Sequence, residues 1–431
     1  MNDLRTAVRG RVLLPGDPGF GAARRPWNLA VEQPADAVVE AADADDVAAL
    51  VRYARATGRT ITTQPGGHGA TGRTGGAILL RTGRLDGLHV DPSARRARAG
   101  AGVQWGRVQA AAAPHGLTGL PGSSPVVSVT GYTLGGGLSW FGRAHGWAAD
   151  SVTAFDVVDA AGTARRVTAG DDLFWALRGG GGDYAIVTAV EFDLHPAPAL
   201  YGGRMLWSGD RAPEVLAAYR EVTAAAPDRL TAWLDLLHFP GSDPLVAVDV
   251  TYLGDEAEAR DLLRPLDAAG APLSDGRRPM TPAELGPITA EPTDPGAGIS
   301  RGELLTDLDD LAAKILLEPI APLMSVQVRH LGGAFARPSD GPHGPLDEPY
   351  SLYLFGVPAG PGSSAAVTAK QRDLAEALAP RLSGRKPFTY LNPAETAADA
   401  FAPAALARLR SVKRAHDPEG VFRSNHPVLP E

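Results

Sequence analysis

Three runs of glycine between positions 66 and 182 constrain this chain more than any other feature. The first is Gly66-Gly67-His68-Gly69, extended by Gly72, Gly75 and Gly76; the second is Gly131-Tyr132-Thr133-Leu134-Gly135-Gly136-Gly137; the third is Gly179-Gly180-Gly181-Gly182. Without a Cβ, such segments turn tightly and let backbone approach a ligand or another backbone closely. The first run follows a predicted strand, so its N–H groups can grip a diphosphate without side-chain charge; the bland alternative is a surface turn. The second, preceded by Gly119-Leu120-Pro121-Gly122-Ser123-Ser124-Pro125, can run against a flat ring or a diphosphate. The third suggests a close approach to backbone or to a ligand. None has the spacing of a common nucleotide-binding loop. There is no G-x-G-x-x-G between a first strand and helix and no G-x-x-x-x-G-K-[ST]. H-E-x-x-H and G-x-S-x-G are absent too.

At 431 residues the chain is long enough for two or three domains. A net charge of -8 argues against nucleic acid or an anionic membrane as partner. There is no cysteine, which excludes disulfides, iron–sulfur clusters, thiolate nucleophiles and cysteinyl–flavin links. The remaining histidines lack metal-ligand spacing, so no metal site is expected. The first residues show no signal-peptide core and no stretch approaches a membrane span, so a cytoplasmic location is expected.

A strand over 35–42 precedes a helix capped by Asp43 or Asp45, with Val47, Leu50, Val51 and Ala54 at helical spacing and Gly58 as its stop. Strands are predicted at 59–63, 77–80 and 95–103, a hairpin at 151–158 and 164–167, and a strong strand at 184–192. Beyond about 197–205 the texture changes. Strands are expected at 233–239, 245–252, 324–331 and 350–357, with helices at 256–266 and 365–378. That pattern describes an α+β domain, an antiparallel sheet carrying helices on one face. Proline-rich stretches 279–298 and 338–349 read as surface loops. A helix over 404–415 and a turn at Asp417-Pro418-Glu419-Gly420 close the chain. The expected division is 1–200, 201–400 and a returning segment 401–431.

Four blocks resemble the FAD-linked oxidoreductases of the vanillyl-alcohol oxidase superfamily with a PCMH-type FAD-binding domain, within them the berberine-bridge-enzyme-like branch. The blocks are Pro65-Gly66-Gly67-His68-Gly69 with Gly72; residues 122–150; residues 172–188; and residues 413–427. The resemblance implies an α+β fold: a two-lobed FAD-binding domain plus a substrate domain whose antiparallel sheet is covered by helices. It implies FAD bound at Pro65, Gly66, Gly67, His68, Gly69, Gly72, Gly122, Ser123, Ser124, Ser128, Gly131, Tyr132, Leu134, Gly135, Gly136, Gly137, His145, Gly146, Ile186, Val187 and Asn425. In the family the histidine at the position of His68 is commonly bonded to the 8α-methyl carbon of the flavin; the alternative is FAD held non-covalently. Many relatives carry, where Ser124 stands, a cysteine joined to flavin C6, so attachment here is expected to be single. Ser128 departs from the family's usual glycine. Asp171 and Asp172 read as helix caps.

Relatives remove a hydride from a C–H next to oxygen or nitrogen to flavin N5, and O2 reoxidises the flavin to give H2O2. The expected partners are therefore a small molecule and O2, the protein acting as a monomer or a homodimer. Two enzyme readings remain open: an oxidase of an alcohol, sugar or amine, and a natural-product tailoring enzyme performing dehydrogenation or redox-neutral cyclisation. A non-catalytic flavin-binding protein is the third reading. Many relatives have Tyr-x-Asn-Tyr near the C-terminal third, where this chain has Tyr390-Leu391-Asn392-Pro393. Tyr390, on a strand, is expected to face away from the reaction centre; Asp235, His238 and Tyr353 are the other candidates for a base. Trp207, Trp233, Phe239, Tyr252, Tyr350 and Phe355 line a cleft or belong to the core.

Overall fold

The computed structural model describes residues 3–430. In its first lobe the helix Ala44–Ala56 begins where Asp43 accepts a hydrogen bond from the Asp46 N–H, and it buries Val47, Leu50, Val51 and Ala54 at the predicted spacing. This face packs on a four-stranded sheet in the order Arg11–Leu13, Ala37–Glu40, Ala77–Arg81, Thr60–Thr63; the last three are parallel. A second, five-stranded antiparallel sheet follows, in the order Leu88–Asp91, Arg96–Gly100, Ile186–Asp193, Val152–Val158, Ala164–Thr168. Helices Trp105–Ala112, Asp172–Leu177 and Pro403–His416 share its core. Asp171 caps the second of these through the Leu173 N–H.

The third layer is an eight-stranded antiparallel sheet with the path Ser274–Asp275, Leu200–Ser208, Leu245–Tyr252, Leu230–Leu237, Ser325–His330, Tyr350–Gly356, Ile299–Leu305; the eighth strand, Arg278–Met280, also pairs with Leu200–Ser208. Alternation along the strands sends Leu230, Ala232, Leu234, Val326, Val328, Leu352 and Leu354 into a core shared with helix Ala212–Ala225. Trp207, Tyr252 and Tyr350 belong to that core. The opposite face carries Trp233, Asp235, Gln327, Arg329 and Tyr353 and turns toward the first two layers. There Trp233 stacks on Trp140, with ring centroids 3.5 Å apart. Strands Leu200–Ser208 and Ile299–Leu305 were not among those expected. Both contain glycine where a neighbour presses in: a Cβ at Gly302 would lie 2.6 Å from Tyr390 Cβ.

The proline-rich stretches are surface loops only in part: residues 292–296 are exposed, but other positions turn inward. Leu285 and Ile288 are buried in one junction cluster, Leu346 in another, and Glu348 is buried too. The first stretch begins in the edge strand Arg278–Met280, which pairs with Leu200–Gly202, and continues through the turn Pro282–Glu284 and the short helix Gly286–Thr289, both of which start on proline or carry it in their first turn. Arg143 clamps the junction, donating to the carbonyl oxygens of Leu230 (2.8 Å), Ala226 (3.1 Å) and Leu331.

The C-terminal segment returns to the first lobe on a buried cation. Lys413 Nζ donates to Asp183 O (2.6 Å), Asp417 Oδ2 (2.7 Å) and Phe422 O (2.8 Å). Lys413→Met strands a buried carboxylate and two carbonyls, and is expected to lower the unfolding free energy by about 3–5 kcal/mol. A urea titration checks this; a loss under about 1 kcal/mol would show that the clasp is dispensable.

Candidate functional site

Strand Thr60–Thr63 delivers the first glycine run to the edge of the first lobe. Gly67 has φ +91°, and a Cβ there would stand 2.8 Å from Gln64 Oε1 and 2.9 Å from Pro26 Cα, so only glycine fits. A strap crosses this turn: the Trp27 N–H donates to Gly66 O at 3.0 Å, and the Trp27 indole stacks on the His68 ring with centroids 4.3 Å apart and planes 13° apart. The strap is tied on its far side to the third layer, the Leu29 N–H donating to Gly296 O (3.0 Å) and the Asn28 amide to Gly298 O (2.9 Å). Thr71 Oγ1 donates to Asn425 O at 3.1 Å, so Asn425 lies against the same loop.

The loop itself is left open. Among the described residues the N–H groups of Gly66, Gly67, His68 and Gly69 find no acceptor. His68 Nε2 is buried without a partner, and burial pushes the imidazole down to about 4, which keeps it neutral at pH 7. Pro65 packs near Gly131, at 3.7 Å from where a Cβ would stand, bringing the second run alongside. There Ser124 Oγ, Thr130 Oγ1 and the Tyr132 hydroxyl are likewise buried without partners, as are Thr74 Oγ1 and Ser424 Oγ. Buried polar atoms rarely go unpaired in folded proteins. Free consecutive amides suit a diphosphate, and the neutral imidazole and orphaned hydroxyls suit the polar remainder of FAD.

The later glycines do something different from what their spacing suggested. The Gly135 and Gly136 N–H groups are taken by Tyr132 O (3.2 Å) and Thr133 O (3.0 Å). A Cβ at Gly136 would lie 2.8 Å from His343 Nε2, one at Gly179 2.9 Å from His343 Cδ2, and one at Gly137 2.5 Å from the Tyr132 ring. Glycine at these positions makes room for side chains of the protein. Gly122 faces Tyr132 in the same way, at 3.2 Å. Ser128, in place of the family's glycine, caps helix Val129–Leu134 through the Gly131 N–H (3.3 Å). Ile186 and Val187 bury their side chains in the cores on either side of their strand. His145 pairs with His195, rings stacked at 4.0 Å, next to Gly146.

Across the junction, the polar face of the large sheet carries a connected chain of hydrogen bonds. Arg204 forms a bidentate pair with Asp249 (2.6 and 2.7 Å) and lies 3.6 Å from Asp235. Asp235 accepts from Ser325 (2.6 Å) and from the Gln327 amide (3.1 Å). Gln327 Oε1 accepts from Arg329 Nε (2.7 Å), and Arg329 Nη1 donates to the Tyr390 hydroxyl (3.2 Å). The charge of Arg329 also acts on the Tyr132 hydroxyl from the other side of the junction.

Tyr390 therefore faces the junction. It is not on a strand: Phe388–Tyr390 is a 3-10 turn capped at Pro387, and Pro393 cannot donate to a ladder. Its ring lies 5.5 Å from that of Tyr353. Asp235 belongs to the chain but spends both oxygens on holding it, although burial raises it above the usual carboxylate range. His238 lies past the strand end beside exposed Phe239, outside the cluster. Arg329, Gln327 and Glu291 went unnoticed in the sequence. The readable signal was Gln327 and Arg329 alternating with Val326 and Val328 on one strand. Glu291 is half-buried with no hydrogen bond among the described residues, and its charge acts on Arg329 and Tyr353.

The FAD binding domain family matches residues 35–168. (R)-6-hydroxynicotine oxidase of Paenarthrobacter nicotinovorans is 30% identical over 457 aligned positions, covering 99% of this chain and 98% of the relative. The crystal structure of 6-hydroxy-D-nicotine oxidase from Arthrobacter nicotinovorans superimposes with a TM-score of 0.86 at 26% identity, covering 98% of both chains. BBE-like 1 of Physcomitrella patens shares the fold, with a TM-score of 0.88 at 19% identity over 99% of both chains. Among the described residues no helix is long and apolar enough to cross a membrane.

Burial also depresses His195 and His330 to about 3 and His343 to about 4. Below pH 6.5 the unfolded chain takes up protons at these positions that the folded chain refuses, so stability present above pH 6.5 is lost as pH falls toward 4. Asp249, pushed up by burial to about 6, works in the opposite sense, as do Asp150 and Asp235, against six histidines that burial lowers. The urea midpoint is expected to drop between pH 7 and pH 5, by on the order of 1–2 kcal/mol per histidine. His330→Gln should flatten that dependence; an unchanged slope would mean that His330 is protonated in the fold.

Proposed function

The chain belongs to the FAD-linked oxidoreductases of the vanillyl-alcohol oxidase superfamily, berberine-bridge-enzyme-like branch, and on that premise we propose that this FAD-dependent oxidoreductase oxidises a small organic or natural-product molecule at a C–H next to oxygen or nitrogen. Bound FAD supplies the hydride acceptor, and O2 takes the electrons on as H2O2. The observation that carries the reading is His68: a neutral, buried imidazole with an unpartnered nitrogen, held flat under Trp27 in a turn of free amides. We assign His68 as the single attachment point of FAD. Serine at 124 offers no thiolate for a second bond. Pro65–Gly69, Gly72, Ser123, Ser124, Tyr132 and Asn425 form the remainder of the holding surface.

Substrate lies, in this reading, against the polar face of the large sheet, between residues of the 1–200 and 201–400 regions, with 401–431 closing the first lobe. Tyr390 is the proton-handling group. Its oxygen accepts from Arg329, which leaves its own O–H free to face substrate. Tyr353 and Gln327 shape the same surface.

Acid precipitation tests the attachment. Flavin absorbance is expected to remain in the pellet of the wild type and to move to the supernatant in His68→Ala; colour released from the wild type would overturn the covalent assignment. For Tyr390→Phe, turnover on any alcohol or amine that yields H2O2 is expected to fall by about 10²-fold or more with flavin content unchanged. Unchanged turnover would remove Tyr390 from the chemistry.

A further inference from the structure

Arg329 differs from the other enclosed arginines in what it leaves unused. Arg204 is matched by Asp249, Arg277 by Asp275 and Asp267, and Arg143 by main-chain carbonyls. Guanidinium has five N–H donors. Arg329 uses Nε on Gln327 and one Nη1 hydrogen on Tyr390, and no carboxylate lies within 4 Å of it among the described residues. Its side chain is part-exposed, and none of its nitrogens is sealed off unpaired, as Arg277 Nη1 is. The unused fork therefore faces open space at the junction.

Aromatic rings wall that space. The guanidinium carbon lies 4.1 Å from the Trp233 centroid, 5.2 Å from Tyr353 and 5.9 Å from Tyr390. Rings over its faces strip hydration from the cation without neutralising it, which leaves the in-plane N–H edge as its polar outlet. The Tyr132 hydroxyl, on the other side of the junction, feels the Arg329 charge. Glu291 is the one nearby carboxylate without a hydrogen bond of its own, and it keeps its distance. A planar, bidentate acceptor is what such a fork recognises.

We propose that Arg329 is a specificity-determining residue that binds a carboxylate of the substrate, so that the molecule oxidised here is an organic acid. The proposal rests on the junction being the substrate side of the oxidoreductase described above. The bond is an ion pair with two N–H donors, walled from water by Trp233 and Tyr353 and opposed by the charge of Glu291.

The experiment is a calorimetric titration of the holoenzyme with benzoate and with its neutral isostere benzamide, flavin content being measured on the same sample. Benzoate is expected to bind roughly tenfold or more tightly than benzamide. Arg329→Met should abolish the difference and Arg329→Lys should keep part of it. Glu291→Gln should tighten benzoate, because a like charge is removed while Arg329 stays in place; this variant keeps the test alive if Arg329→Met does not fold. Benzamide binding as tightly as benzoate, or a benzoate affinity indifferent to both Arg329→Lys and Glu291→Gln, would overturn the proposal while a flavin-loaded protein leaves the oxidoreductase reading intact. Flavin-free protein that still prefers benzoate would do the reverse.

Discussion

Lys413 is the interaction on which the rest of the molecule rests. An ammonium has three donors, and here each meets an acceptor, from Asp183, Asp417 and Phe422. The two aspartates are themselves anchored: Asp417 accepts from the Val421 and Phe422 N–H groups, and Asp183 from those of Ser424 and Val428. Asp183 directly follows the third glycine run. The segment so held pairs with Ile61, whose N–H donates to Val421 O and whose oxygen accepts from Arg423. That strand runs straight into the turn bearing His68. A buried pair of this kind is weak evidence for net stability, since desolvation offsets its attraction. Its value here is positional: it fixes the third glycine run, the His68 strand and Asn425 relative to one another.

A glycine turn cannot hold itself. It lacks the side chains that would restrict its dihedrals, and it loses more conformational freedom on folding than other sequences do. The first run is accordingly gripped from outside, by the Trp27 strap above and the Asn425 segment beside it. The strap is in turn fastened to Gly296 and Gly298 of the proline-rich stretch. Movement of the large sheet against the first lobe would thus pull on Trp27 and on the ring stacked beneath it. The later glycines are immobilised differently, by His343, Trp147 and Phe388 filling the space in front of them.

Where the sequence was legible, local signals and tertiary demands agreed. Asp43 and the four apolar positions after it specify a capped amphipathic helix in any context, and the structure keeps it. The polar face of the large sheet was half legible. Tyr353 and Asp235 stood out as polar groups in apolar strands, yet Arg329 did not, because an arginine at a strand position usually marks a solvated edge. Its role arises from Gln327, Trp233 and Tyr390, which are distant in sequence and meet only when the sheet closes on the turn at 388–390. The turn hid Tyr390 as well: period-two reasoning assigns a face only to residues on strands. The proline-rich stretches were read correctly only where they are exposed, at 292–296, because proline content reports missing donors and not exposure. Of the glycine runs, spacing revealed that close approach was needed but not by what, and two of the three turned out to be approached by side chains of the same chain.

Scaffold and site in this protein differ in how their open polar valences are grouped. Lys413, Arg143, Arg204 and Asp235 are buried polar groups with partners on several sides, and burial without partners would cost each about 1–3 kcal/mol or more. The amides of Gly66 to Gly69, His68 Nε2, Ser124 Oγ, the Tyr132 hydroxyl and the outer edge of Arg329 are open. Single buried polar atoms without partners are also scattered through the cores, Trp105 Nε1 and the Tyr201 and Tyr252 hydroxyls among them. What sets the first glycine turn apart is grouping: the amides of Gly66 to Gly69 and His68 Nε2 are open together, with Ser124, Thr130 and Tyr132 alongside. A lone unpaired hydroxyl in a core is tolerated singly, whereas four consecutive free amides beside a neutral imidazole form a concave row of donors, the arrangement that suits a ligand rich in acceptors.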